Sequence, residues 1–129
     1  MIDKLAWLLI QNKQILSTRS RGKDKYYIPG GKREAGETDA EALCREIKEE
    51  LSVDLELASL QNVGSFEAQA HGHPDGTMVR MTCYTAGFTG TLQAATEIEE
   101  IKWLSFSDKD KISEVDIIIF DFLRGEGLL

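Results

Sequence analysis

Several things are scarce in this sequence. Its 129 residues include two cysteines, Cys44 and Cys83, which stand in segments of different character with no CxxC pair and no Cys/His cluster. A disulfide framework or a cysteine-based zinc site is therefore not expected, and both read as reduced, small core residues of a cytoplasmic protein. Two prolines leave no Pro-rich linker. No apolar run approaches the ~20 residues of a membrane span. Leu5 to Ile10 ends in Gln-Asn-Lys-Gln without a small-residue cleavage site, and Val115 to Leu123 is interrupted by Asp116 and Asp121. Neither a leader peptide nor a membrane partner is expected. Positive charge is also short, 15 Lys+Arg against 22 Asp+Glu, a formal net charge of −7. Such a surface disfavours long nucleic acids and anionic membranes as partners.

What is present fits one domain over residues 1–129, large enough to bury roughly two-thirds of its unfolded surface. Hydrophobic residues at 42% and charged residues at 29% are the proportions of a globular chain. Leu5 to Ile10 and Ile15 to Thr18 read as two antiparallel strands joined near Asn12-Lys13. The basic stretch Arg19 to Lys25 reads as an exposed loop, and Tyr26 to Ile28 as a brief strand stopped by Pro29-Gly30-Gly31. From Thr38 to Leu51 the period changes: Ala40, Leu43, Cys44, Ile47 and Leu51 recur at helical spacing, and Thr38 with Glu41 fits a capping box. Leu55 to Gln69 and Thr77 to Phe88 are rich in strand formers around the hairpin segment His71 to Gly76. Ile98 to Phe106 predicts another strand and Glu114 to Arg124 a closing helix. Strands alternating with helices in this order predict an α/β (α+β) fold, a mixed sheet with helices packed on it.

The first helix carries a cluster of carboxylates. On a helical wheel of about 100° per residue, Glu46, Glu49 and Glu50 share one face, away from the apolar arc. A solvated acidic face is the bland explanation. Against it, Glu46 and Glu50 form a like-charge i, i+4 pair, and Glu49 and Glu50 lie at the helix end where the dipole disfavours anions. A bound divalent cation reverses both penalties, because clustered carboxylate oxygens are what Mg²⁺ uses alongside phosphate oxygens. The preceding loop adds Glu37 and the glycines Gly30, Gly31 and Gly36, which permit tight turns and close approach of a ligand.

Together these residues resemble the Nudix box of the Nudix (MutT-like) hydrolases. The box runs through residues 31–53 as Gly31, Glu37, Arg45, Glu46, Ile47, Glu49, Glu50, Ser52 and Val53, with eight of the nine specified positions in agreement. Ser52 stands where the box has glycine. That position follows the helix end, where glycine suits a left-handed cap, so serine there is expected to cost about 1 kcal/mol of stability and no chemistry. Upstream, Tyr27 to Lys32 is similar to the family's usual lead into the box. Downstream, Glu97 to Leu104 resembles the strand that supplies one more carboxylate, with Glu97 the better match and Glu100 the alternative.

The resemblance implies an α/β/α sandwich around a mixed β-sheet, and hydrolysis of a nucleoside diphosphate linked to another group. It implies Mg²⁺ as cofactor, with Mn²⁺ as a substitute. Glu46, Glu49, Glu50 and Glu97, with the Gly30 carbonyl, are the implied metal ligands. Glu37 is a further ligand or an orienting partner, and Arg45 holds a carboxylate by a paired hydrogen bond, with phosphate contact as its second role. The general base stays open among Glu46, Glu50 and Glu97, with the first two preferred. Arg19, Arg21, Lys32 and Gly31 are candidate phosphate contacts, although each cation alone also fits a solvated loop. His71 and His73 read as an exposed hairpin tip, Cys83 and Tyr84 as packing residues. Base recognition is expected from Tyr26, Tyr27, the strands around Phe66 and Tyr84, and residues 106–122. The expected partner is a small phosphorylated nucleotide, most simply a nucleoside triphosphate cleaved to monophosphate and pyrophosphate. A dinucleotide or nucleotide sugar is the alternative substrate, and a non-catalytic binding module the alternative class. No feature sets the oligomeric state; a homodimer is compatible with it.

Overall fold

Alternation along the N-terminal run sets the layers. In the computed structural model, which describes residues 1–129, β1 (Ile2–Trp7) sends Leu5 and Trp7 to one face and Ala6 to the other, all essentially unexposed. β1 lies inside a four-stranded sheet of order β4-β1-β7-β6, formed with β4 (Gly30–Lys32), β6 (Gln61–Gln69) and β7 (Met78–Thr85). The β1–β7 pair is parallel and the other two pairs are antiparallel, so the sheet is mixed. A second sheet joins β2 (Ile10–Gln11), β3 (Gln14–Ser20) and β9 (Ile98–Leu104). A short ribbon pairs β5 (Asp54–Leu55) with β8 (Phe88–Thr89). Helix α1 (Asp39–Leu51) buries Leu43, Ile47 and Leu51 with Leu5 and Trp7. Helix α2 (Glu114–Gly125) buries Val115, Ile119, Phe120 and Leu123 with Ala6, Val79 and Met81. The helices thus cover opposite faces of the β1 sheet, the layered α/β/α arrangement expected from the element order.

Three strands differ from their expected limits. The run Leu5 to Ile10 is not one strand paired with Ile15 to Thr18. At Leu8-Leu9 the chain crosses between sheets, with the Leu8 N–H donating to the Tyr84 carbonyl (2.8 Å) and the Leu9 carbonyl accepting from the Leu16 N–H (2.9 Å). Both sheets need apolar residues there, so the sequence shows no break. The hairpin itself is β2–β3, turning through Asn12 and Lys13 at φ 52° and 60°, the two positive values of a tight two-residue turn. Tyr26 to Ile28 makes only isolated bridges, Tyr27 with Thr18 and Tyr26 with Ile112. The true strand is the glycine pair expected to end it. Gly30, at φ 150°, packs so close to β1 that a Cβ would overlap the Leu5 carbonyl, and only glycine closes that ladder. Leu55 to Gln69 is divided into β5 and β6 by a helical turn at Leu57–Ser59.

α1 is capped as its sequence requires. The Glu41 N–H donates to the Thr38 hydroxyl (3.2 Å) while the Thr38 N–H donates to the Glu41 carboxylate (2.9 Å). Ser52 ends the helix in the left-handed region, φ 64° and ψ 22°, with its N–H on the Lys48 carbonyl. The buried arc includes Ala42, whereas Ala40 and Cys44, both expected inside, are partly exposed. Cys83 is fully buried. No helix is long and apolar enough to cross a membrane.

Candidate active site

The loop before α1 and the first turns of the helix are tied together by Arg45. Its Nε and Nη2 donate to the two oxygens of Glu37 at 2.7 and 2.9 Å, a bidentate pair. Nη1 donates to Glu46 (2.9 Å) and approaches Glu49 (3.4 Å), and Nη2 also reaches the Lys32 carbonyl (3.1 Å). This guanidinium and the Glu34 N–H hold the Glu37 carboxyl down at about 2, so Glu37 is a fixed anion. Arg45 thus pairs bidentately with Glu37, the contact expected of an orienting residue.

Glu50 lies one turn along from Glu46 in a different setting. Burial, then the neighbouring Glu46, push its carboxyl up to about 8; the Gly30 N–H acts in the opposite sense, and Glu97 adds a smaller upward push. Glu46 itself rests against Gly31, where a Cβ would fall inside the Glu46 carboxylate. Gly31 is thus a cradle for a side chain of the chain itself. Gly30, Gly31, Glu46, Glu49, Glu50 and Glu97 all line one cleft of about 380 Å³. Glu100, the alternative to Glu97, is turned away to accept from the Tyr26 hydroxyl (2.6 Å) and pair with Arg19 (3.6 Å).

A hard divalent cation fits this donor set. Two half-buried carboxyl groups in contact are mutually destabilising without a cation and favourable with one. No three Asp, Glu, His or Cys side chains close into a complete ligand cage. The carboxylates form an open face toward the cleft, as suits an ion that keeps positions for phosphate oxygens and water.

The other half of the cleft is apolar, with Ile2, Ile28, Val79, Met81 and Val115 on its walls. Of the expected phosphate contacts, only Gly31 faces the cleft. Arg19 is taken by Glu100 and the Lys23 carbonyl. Arg21 is taken by Glu99 and the Thr96 carbonyl (2.6 Å), and Lys32 is exposed and does not line the cleft. Carboxylates on β9 and its approach capture these arginines, a cross-strand pairing invisible in the local sequence. Lys4 and Lys23 stand in the cleft instead. Of the expected base contacts, Tyr27 lines it, whereas Tyr84 donates to Asp39 (2.6 Å) and Phe66 stacks on Phe122 (centroids 5.3 Å). His71 and His73 do lie at the hairpin tip, but both also line the cleft mouth, where His71 meets Asp24 at 3.3 Å. Burial pushes the Cys83 thiol up to about 12, so it is packing rather than a nucleophile.

Sequence reasoning missed Asp116. It is wholly buried on α2; one oxygen accepts from the Ile28 N–H (3.1 Å) and the other has no partner. Burial pushes its carboxyl up to about 7, against the Ile28 N–H, Lys4 and Ser113. Its signal was in view, an acid inside an otherwise apolar helix block.

Comparison with known proteins agrees with this architecture. The family described as NUDIX domain matches residues 4–122. The chain is 25% identical over 125 residues to the uncharacterized Nudix hydrolase YvcI of Bacillus subtilis, covering 95% of this chain and 79% of that protein. It is 30% identical over 116 residues to an ADP-ribose pyrophosphatase of Methanocaldococcus jannaschii, covering 88% of this chain and 67% of that one. The solution structure of the E. coli ORF135 protein superposes with a TM-score of 0.74 at 26% identity, covering 96% and 91% of the two chains. The chain belongs to the Nudix hydrolases, enzymes that cleave pyrophosphate bonds in small nucleotide substrates with the aid of divalent metal ions.

Proposed function

We propose that this enzyme is a Mg²⁺-dependent nucleoside triphosphate pyrophosphohydrolase that releases a nucleoside monophosphate and pyrophosphate, with Mn²⁺ as a substitute ion. The observation that carries this is the division of one cleft into a carboxylate face and an apolar half. A volume of about 380 Å³ suits a single nucleoside with its phosphates. When bound, the ion neutralises phosphate oxygens and lowers the pKa of the attacking water. Glu46, Glu49, Glu50 and Glu97, with the Gly30 carbonyl, are the groups that hold it.

The protein's own residues then have separate tasks. Arg45 and Glu37 fix the orientation of Glu46 and the loop. Glu50 and Glu46 are the preferred acceptors of the water proton, because both carboxylates face the cleft where the attacking water would stand. The apolar walls exclude water around the ring of the substrate. The partly exposed Cys44 and buried Cys83, both unpaired, suit a reducing compartment, the cytoplasm.

The pyrophosphatase of M. jannaschii favours a second reading, cleavage of a nucleotide sugar or dinucleotide. Assaying nucleoside triphosphates, dinucleotides and nucleotide sugars with Mg²⁺, and scoring phosphate and pyrophosphate separately, distinguishes them. Turnover of a triphosphate with pyrophosphate release is expected. Turnover confined to the conjugates would replace the first reading with the second, and no turnover on any of them would support a binding module.

A further inference from the structure

Lys4 differs from the arginines near the site in having no carboxylate partner, and from the exposed Lys23 in being partly buried. Arg19, Arg21, Arg33 and Arg45 each reach a carboxylate of the protein. Lys4, which shares the α2 face of β1 with Ala6 and stands beside Met81 in the β1–β7 register, lines the cleft with its ammonium on no acceptor. Its nearest aromatic neighbour is Tyr27, with Nζ 6.0 Å from the ring centroid. Burial and Lys32 lower its pKa, while Asp116, then Glu50 and Glu46, act through space in the opposite sense. A half-buried ammonium with unmet donors is unfavourable, and an acceptor brought in by a ligand relieves it. Met81 is its partner in the β1–β7 register and Tyr27 its nearest ring, which places it toward the apolar half of the cleft.

We infer that Lys4 donates a hydrogen bond to the edge of the substrate's base, making it a specificity-determining residue that accepts a keto oxygen and rejects an amino group at that position. This rests on the triphosphate reading above. An ammonium carries donors only, so an amino group facing it leaves both sides unsatisfied.

The test compares guanosine with adenosine triphosphate, and uridine with cytidine triphosphate, in the wild type, Lys4→Met and Lys4→Arg. The wild type is expected to favour the keto base of each pair by about tenfold or more in kcat/KM. Lys4→Met is expected to lose that preference through KM, with inhibition by inorganic tripolyphosphate unchanged, and Lys4→Arg to retain it. Thermal stabilisation by guanosine against adenosine monophosphate, read without metal, should follow the same order. An equal loss for every base together with weaker tripolyphosphate inhibition would make Lys4 a phosphate contact and overturn the inference. Unchanged KM values would make it structural and overturn it too. Should Lys4→Met not fold, Lys4→Gln decides by the same measurements. A wild type that turns over conjugates alone removes the triphosphate reading, whereas one that turns over triphosphates without keto preference removes only the role of Lys4.

Discussion

Each helix carries one carboxyl group withdrawn from water, Asp116 fully buried and Glu50 half-buried, and the two surroundings differ in what they ask of it. On α2, Asp116 sits among apolar side chains, with the Ile28 N–H on one oxygen and nothing on the other. It ties the loop that precedes β4 to the helix on the far side of the sheet. On α1, Glu50 sits beside Glu46 and within the field of Glu97, on the wall of an open cleft. Both carboxyls hold their protons more tightly than usual and burial is the first cause in each, but only Glu50 has like charges as the second. A buried acid held by one backbone donor serves the fold; a half-buried acid among acids is the arrangement a cation would relieve.

The largest break in this comparison comes from Glu50→Gln, which keeps the volume and removes the charge. Turnover is expected to fall about 10²–10⁴-fold while the fold is retained; near-normal kcat by steady-state assay would remove Glu50 from the mechanism. Next is Arg45→Lys, which cannot hold Glu37 through a bidentate fork. A loss of about 10–100-fold in metal affinity or activity is expected, read by Mg²⁺ titration of the rate.

The ion itself should separate the two acids. Because Glu50 must be ionised to bind it, Mg²⁺ is expected to raise the melting temperature more at about pH 8.5 than at about pH 6. Glu50→Gln should abolish that difference, and Asp116→Asn should leave it. Asp116 makes the complementary prediction in metal-free buffer. Its native pKa of about 7 lies above the unfolded value of 3.8, so the native state binds the extra proton between them. Its contribution is full below about pH 4 and is lost as pH rises through about 7. Asp116→Asn should flatten that part of the stability profile, measured by denaturant unfolding across the range. The smallest effect belongs to the end of α1. Ser52→Gly, relieving a left-handed serine, should stabilise the protein by about 1 kcal/mol with unchanged kcat; an unchanged or lower melting temperature would refute the cap assignment.

The site was more legible in the sequence than the sheet. Periodicity and charge at 38–51 located α1, its cap and its carboxylates because those relations are local, three or four residues apart. Arg45 and Glu37, eight positions apart, were readable only through the resemblance to the Nudix box. Pairing across long separations was not readable. Nothing near Arg19 or Arg21 announces that Glu100 and Glu99 will claim them. The crossing at Leu8-Leu9 is silent because both sheets require the same residue types. Lys4 and Asp116 were visible as charges in apolar runs, but their meaning depended on β1 and α2 meeting at one cleft.

Gly31 carries a consequence of another kind. The space that its missing side chain leaves is already filled by the Glu46 carboxylate, and its neighbour Gly30 leaves room for the Leu5 carbonyl in the same short strand. Sheet edge and carboxylate wall are therefore one object, two residues wide. Variation that would elsewhere adjust stability alone has no such freedom here: a single methyl group added at Gly31 would displace the Glu46 carboxylate, and one at Gly30 would collide with the Leu5 carbonyl across the β1–β4 ladder. Adaptation of this enzyme to new temperatures or substrates has to proceed from the other walls of the cleft.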